Sequence, residues 1–145
     1  MFASARSTRF TPLLLFSEMF RSSARATQAA REPFHSLKQG NVGDGVHQLQ
    51  LALFNIQEHS DSLPPALRPV RGDTGRYFIF FCGNEFSSQV FGPSTKLSVQ
   101  AFQTQRGGMT VDGKAGIDTI PRMDEIIFLL ESLGLIDEPG PDDLT

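Results

Sequence analysis

The chain has 145 residues and a mass of 16.0 kDa, the length of one ordinary domain with an appendage. With 39% hydrophobic and 20% charged residues it can bury a core, which excludes global disorder, and its single cysteine excludes a disulfide framework or a cysteine zinc cage. The net charge of -3 argues against nucleic-acid binding over the whole surface, and no apolar run approaches the roughly 18 residues of a membrane span.

The charge is uneven along the chain. Residues 1–33 hold five arginines against two glutamates, a balance of +3, with no Asp and no Lys, while the rest of the chain carries -6. An Arg- and Ser-rich, acid-poor start is the composition of a mitochondrial transit segment, and an ordinary surface helix with a basic face is the plain alternative. A secretory signal fits less well, because Leu13–Phe16 is followed at once by Ser17 and Glu18. Thr11 is a suitable N-cap and Pro12 suits the first turn, so the sequence predicts an amphipathic helix with Leu13, Phe16 and Phe20 on one stripe. Such a stripe must be covered by the domain behind it, a membrane surface or another subunit. The expectation is a docking arm that meets other protein subunits and can be deleted without unfolding the body.

Pro33 ends this extension, and a domain is expected over residues 34–136. Leu37, Gly40 and Gly43 lead into a helix that Asp44 is placed to cap, with Val46, Leu49 and Leu53 on its buried face. Its pattern continues through Leu49-Gln50. An insertion spans residues 57–88 or so. Pro64, Pro65 and Pro69 exclude a regular helix there, and Tyr77-Phe78-Ile79-Phe80-Phe81-Cys82 is a β-leaning run closed by Gly83-Asn84. The run is read either as a strand over the core or as an exposed edge that pairs with another chain, which makes Tyr77, Phe78 and Phe80 candidate partner contacts together with Leu13, Phe16 and Phe20.

A second helix is expected from Phe91-Gly92-Pro93-Ser94-Thr95, with Thr95, Ser98, Val99 and Phe102 inward and Gln103 closing the pattern. Gly107-Gly108 breaks it, and Asp112-Gly113 opens a turn that runs through Gly116. Thr119 and Pro121 then start a third helix, with Met123, Ile126, Ile127, Leu130 and Leu133 inward and Gly134 as its stop. Residues 137–145 form an acidic tail.

Three blocks of this pattern resemble the peptidoglycan-binding domain-like family, a small three-helix module often attached to bacterial wall hydrolases. The blocks are Leu37, Gly40, Gly43, Val46, Leu49-Gln50 and Leu53; Phe91-Gly92, Thr95, Val99 and Phe102-Gln103; and Asp112-Gly113, Gly116 and Thr119. The resemblance implies a mainly α fold and a non-catalytic module that binds cell-wall glycan or peptide in a shallow groove. Two departures lie near that groove: Ser88-Gln89 stands where the family has Asp-Gly, and the stretch from Leu53 to Phe91 is long.

Catalysis has no constellation to carry it. His35, His47 and His59 lack metal-ligand spacing, and Cys82 lies in an apolar run. Asp112, Asp118, Asp124 and Glu125 read as turn, cap and first-turn residues. No enzyme activity, cofactor or metal is expected. The leading expectation is a structural subunit of a mitochondrial assembly built on a repurposed module. The alternative is a genuine peptidoglycan-binding module of a bacterial envelope or a phage particle.

Overall fold

The computed structural model describes residues 15–67 and 83–139. Among these residues six α-helices follow one another: α1 Glu18–Arg21, α2 Ala24–Arg31, α3 Asp44–Glu58, α4 Gly83–Ser88, α5 Pro93–Arg106 and α6 Ile120–Ser132. Short 3-10 turns at Ser60–Ser62 and Pro65–Leu67 follow α3. Extended pairing among the described residues is limited to two antiparallel bridges, Leu37 with Ala115 and Val42 with Val90, which tie the loop before α3 to the loops before α5 and α6. The described parts of the insertion are therefore helical turns and α4. The Tyr77–Cys82 run lies outside the described residues, and the β-leaning insertion finds no support; Gly83-Asn84, expected to close it, begins α4.

The three long helices α3, α5 and α6 bury the stripes that the periodicity predicts. Val46, Leu49, Leu53, Val99, Phe102, Ile126, Ile127 and Leu130 are all closed to solvent. Pro93 and Pro121 sit in the first turns of α5 and α6, where a missing N–H leaves no gap. Two details differ from expectation. Gly43, at φ 115°, is the N-cap of α3, and Asp44 is its first helical residue and makes no capping bond. Leu133, expected on the inward stripe, is 53% exposed: it is the C-cap of α6, one residue past the last helical residue, Ser132. There the Gly134 N–H bonds the Glu131 carbonyl at 3.0 Å and the Leu135 N–H reaches Leu130 at 2.9 Å. These two bonds close the helix end around Gly134 at φ 72°.

The N-terminal segment is built into the same core, which corrects the expectation of a free amphipathic arm. It forms two short helices, and Thr11, Pro12 and Leu13 lie outside the described residues. Leu15, Met19, Phe20, Ala26, Ala29 and Ala30 are buried in one cluster with the stripes of α3, α5 and α6. Gly45 of α3 allows the close approach of α2: a Cβ there would stand 2.8 Å from Arg25 Cγ. Ala26, Ala29 and Ala30 of α2 are each fully enclosed in the core. The segment is locked down by α6. Asp124, 2% exposed, accepts from the Phe16 N–H at 2.7 Å, the Ser17 N–H at 2.9 Å and the Ser17 hydroxyl at 2.6 Å. Glu131, two turns further along the same face, accepts from the Glu18 and Met19 N–H groups, both at 2.9 Å. Ser17 Oγ takes the Phe20 N–H at 3.2 Å, so the N–H groups at the start of α1 all have partners. Asp124, expected to be a first-turn residue serving its own helix, is instead a long-range cap.

Candidate functional site

The body contains a two-fold internal pattern that the spacing of its motifs makes visible. Leu49-Gln50 on α3 precedes Ser88-Gln89-x-x-Gly92-x-x-Thr95, and Phe102-Gln103 on α5 precedes Asp112-Gly113-x-x-Gly116-x-x-Thr119. Each glutamine reaches from its helix into the loop that starts the next one. Gln50 Nε2 donates to the Val90 carbonyl and to Thr95 Oγ1, each at 3.0 Å. Gln103 Nε2 donates to the Lys114 carbonyl at 2.9 Å and to Thr119 Oγ1 at 3.0 Å. Both glutamines are 1% exposed, so these bonds are formed in a low-dielectric interior that makes an unmade one costly.

The halves differ where the chain departs from the family pattern. Gln103 Oε1 accepts from the Asp112 and Gly113 N–H groups at 3.0 and 2.9 Å, with Gly113 at φ 75°. In the first half that left-handed position is held by Gln89, at φ 56°, the one non-glycine with positive φ among the described residues. Gln50 Oε1 has no hydrogen-bond partner among the described residues. The first loop, with Ser88-Gln89, thus differs from the second, with Asp112-Gly113, both in the residue at the left-handed position and in the bonds made by the supporting glutamine.

Glu85 on α4 closes the first loop. Its carboxylate accepts from the Gly92 N–H at 3.1 Å, the Ser94 N–H at 2.9 Å, the Thr95 N–H at 2.8 Å and the Thr95 hydroxyl at 2.7 Å. Burial alone pushes this carboxyl up, but the Thr95 hydroxyl and the three backbone N–H groups together hold it below the usual carboxylate range. Gly92 is required by closeness, since a Cβ there would stand 2.6 Å from Glu85 Cδ. Sequence reading passed over Glu85; the donor-rich start of α5 is its signal, but a carboxylate seven residues upstream cannot be placed on it from spacing alone.

Among the described residues no carboxylate fills the second loop in this way. Beside it lies a groove of about 160 Å³ lined by Ser36, Thr110, Asp112, Lys114, Ile117 and Asp118. A second, more apolar cleft of about 650 Å³ lies where the N-terminal segment meets α6. Phe16 and Phe128 form its floor, with ring centroids 5.8 Å apart, and Glu18, Arg21 and Ile136 stand around it. Both rings face solvent, at 58% and 46% exposure.

Of the residues expected to touch partners, Phe16 is on the surface in this cleft and Phe20 is fully buried inside its own chain. Leu13, Tyr77, Phe78 and Phe80 lie outside the described residues. Among the histidines, His59 Nε2 lies 2.9 Å from Asp137, whose backbone also pairs with the Asn55 side chain, so the start of the acidic tail is tied to α3. His47 packs on the Phe86 ring at 4.8 Å.

Residues 83–123 match the family described as a putative peptidoglycan binding domain. The matched segment runs from α4 through α5 to the first turn of α6 and contains both loops, so the resemblance read from the motifs holds for this part of a mainly helical chain. Comparison with curated proteins and with solved structures found no match.

Proposed function

We propose that this chain is a non-catalytic interaction subunit of a larger mitochondrial assembly, in which a peptidoglycan-binding-like body serves as scaffold and the Phe16–Phe128 cleft is the face that meets another protein subunit. The observation that carries this reading is the cleft itself. Two exposed aromatic rings in contact are a continuous apolar surface, and a small soluble protein rarely leaves one uncovered without a partner. Phe16, Phe128 and Ile136 all lie outside the matched segment, and Phe16 comes from the N-terminal extension. Arg21 at its rim enters no ion pair among the described residues and supplies a polar contact at the edge. The mitochondrial part rests on the basic, acid-poor start of the chain.

The test is purification of the tagged native protein from fractionated cells, beside a Phe16→Ser/Phe128→Ser variant. Co-purification with a large complex in the mitochondrial fraction, lost in the variant at unchanged melting temperature, is the expected result. A native protein that runs as a free monomer, or a variant that still assembles, refutes the docking face.

The family match favours a second reading, binding of cell-wall peptidoglycan. Against it stand Gln89 in the left-handed position and Gln50 Oε1, which has no partner among the described residues, beneath the first loop. Sedimentation with purified sacculi is expected to be weak, and saturable binding at micromolar concentration that survives moderate salt reverses the ranking.

A further inference from the structure

The basic start of the chain divides where the packed core begins. Residues 15–33 carry Arg21, Arg25 and Arg31 together with both acids of the stretch, Glu18 and Glu32, a balance of +1. Residues 1–14 carry Arg6 and Arg9 with no acid, a balance of +2, and their other polar side chains are Ser4, Ser7, Thr8 and Thr11. The three later arginines belong to folded helices. Arg25 braces α2 against the loop before α3, its guanidinium donating to the His35 carbonyl at 2.5 Å and to the Ser36 carbonyl at 3.4 Å. Arg31 lies in the last turn of α2, where a cation complements the helix dipole, and Arg21 ends α1 at the rim of the Phe16–Phe128 cleft. The Arg- and Ser-rich, acid-free composition of a transit segment is thus confined to residues 1–14, which lie outside the described residues.

The core limits how far a removable segment can extend. A cut just after Ser17 would leave the Asp124 carboxylate, 2% exposed, without the Phe16 and Ser17 groups that satisfy it. A cut beyond Phe20 would also take a fully buried ring out of the core and the Glu18 and Met19 N–H groups away from Glu131. A cut ahead of Leu15 touches none of these groups. We infer that residues 1–14 are a removable import segment, cut from the chain between Arg9 and Leu15, and that Leu15–Arg31 stays in the mature protein as part of its core. The inference rests on the mitochondrial reading above and adds to it the place of processing. The cut falls after Arg9 because both cations of the acid-free stretch then leave together. A processing endopeptidase of the receiving compartment hydrolyses one peptide bond. Water gives its hydroxyl to the carbonyl carbon, which becomes the terminal carboxyl of the released peptide. Its proton goes to the nitrogen, which becomes the α-amino group of the mature chain.

The experiment isolates the full chain, tagged at its C-terminus, from the mitochondrial fraction and identifies its first residue by labelling free α-amino groups before mass spectrometry. A first residue from Phe10 to Leu15 is expected. A mitochondrial chain that still carries Arg9, or that begins after Leu15, overturns the inference and leaves the mitochondrial reading standing. A wild-type chain absent from mitochondria refutes that reading and the inference with it. Arg6→Gln/Arg9→Gln should abolish entry, and Arg31→Gln, on an exposed position of α2, should leave it intact; the reverse pattern, or entry of the double variant, overturns the inference. In solution, a variant beginning at Leu15 should melt with the full chain, and one beginning at Ser22 should melt well below it. Equal melting of the Ser22 variant and the full chain removes the reason for the boundary and overturns the inference.

Discussion

Replacing Asp124 by alanine tests whether the N-terminal segment belongs to the fold. Asp124 is 2% exposed and accepts three hydrogen bonds, from the Phe16 and Ser17 N–H groups and the Ser17 hydroxyl. Each bond to an ionised acceptor contributes about 1.5–3 kcal/mol, but the three share one carboxylate and do not add. Alanine also leaves Ser17, which is closed to solvent, with two unpaired donors, at about 1–3 kcal/mol each if the segment stays docked. Relief of the desolvated charge acts the other way. A second limit comes from undocking: releasing the segment exposes Phe20 and its neighbours, and Phe20 alone accounts for about 1.5–3 kcal/mol of burial. These bounds converge on a loss of about 3–5 kcal/mol, the range for breaking a satisfied buried ionic group. That is a large share of the roughly 5–15 kcal/mol of a small domain. Urea unfolding of Asp124→Ala and Asp124→Asn measures it, and amide exchange at Phe16–Phe20 shows where the loosening begins. Asparagine keeps one acceptor and should fall between alanine and wild type. A loss under about 1 kcal/mol for alanine, with exchange at Phe16–Phe20 unchanged, refutes the anchoring role. By the same reasoning, deleting residues 15–31 should unfold the body.

Three further outcomes are expected. Phe102→Ala should destabilise by about 3–5 kcal/mol in denaturant unfolding, since the ring is fully enclosed between α3, α5 and α6. Because the Glu85 carboxyl is held below its unfolded value of about 4.3, its contribution is fully present above that pH and lost as pH falls through the lower folded value. The stability gap between wild type and Glu85→Gln should therefore shrink on acidification below about pH 4.5, and a gap that widens there contradicts the assigned bonds. Gln89→Gly should stabilise by roughly 0.5–1 kcal/mol, as relief of about 1–2 kcal/mol of left-handed strain exceeds the roughly 0.5–1 kcal/mol of extra glycine entropy. A melting temperature below wild type would show that the Gln89 side chain makes a compensating contact.

The long helices and their inward faces were legible in the chain itself. Val46, Leu49 and Leu53, then Val99 and Phe102, then Ile126, Ile127 and Leu130, recur at the helical period, and Pro93, Pro121 and Gly134 mark ends that local backbone geometry alone requires. The Leu-Gln and Phe-Gln pairs with their Gly-x-x-Thr loops are also local, and they carried the family resemblance. What tertiary structure decided are the partners of polar groups far apart in sequence. Nothing near Asp124 or Glu131 shows that they cap a helix more than a hundred residues earlier, and nothing near Glu85 shows that it fills the Gly92–Thr95 loop. Periodicity reports which side of a helix is apolar, because that follows from backbone geometry. It is silent on which carboxylate meets which N–H group, because that depends on how the helices pack in space.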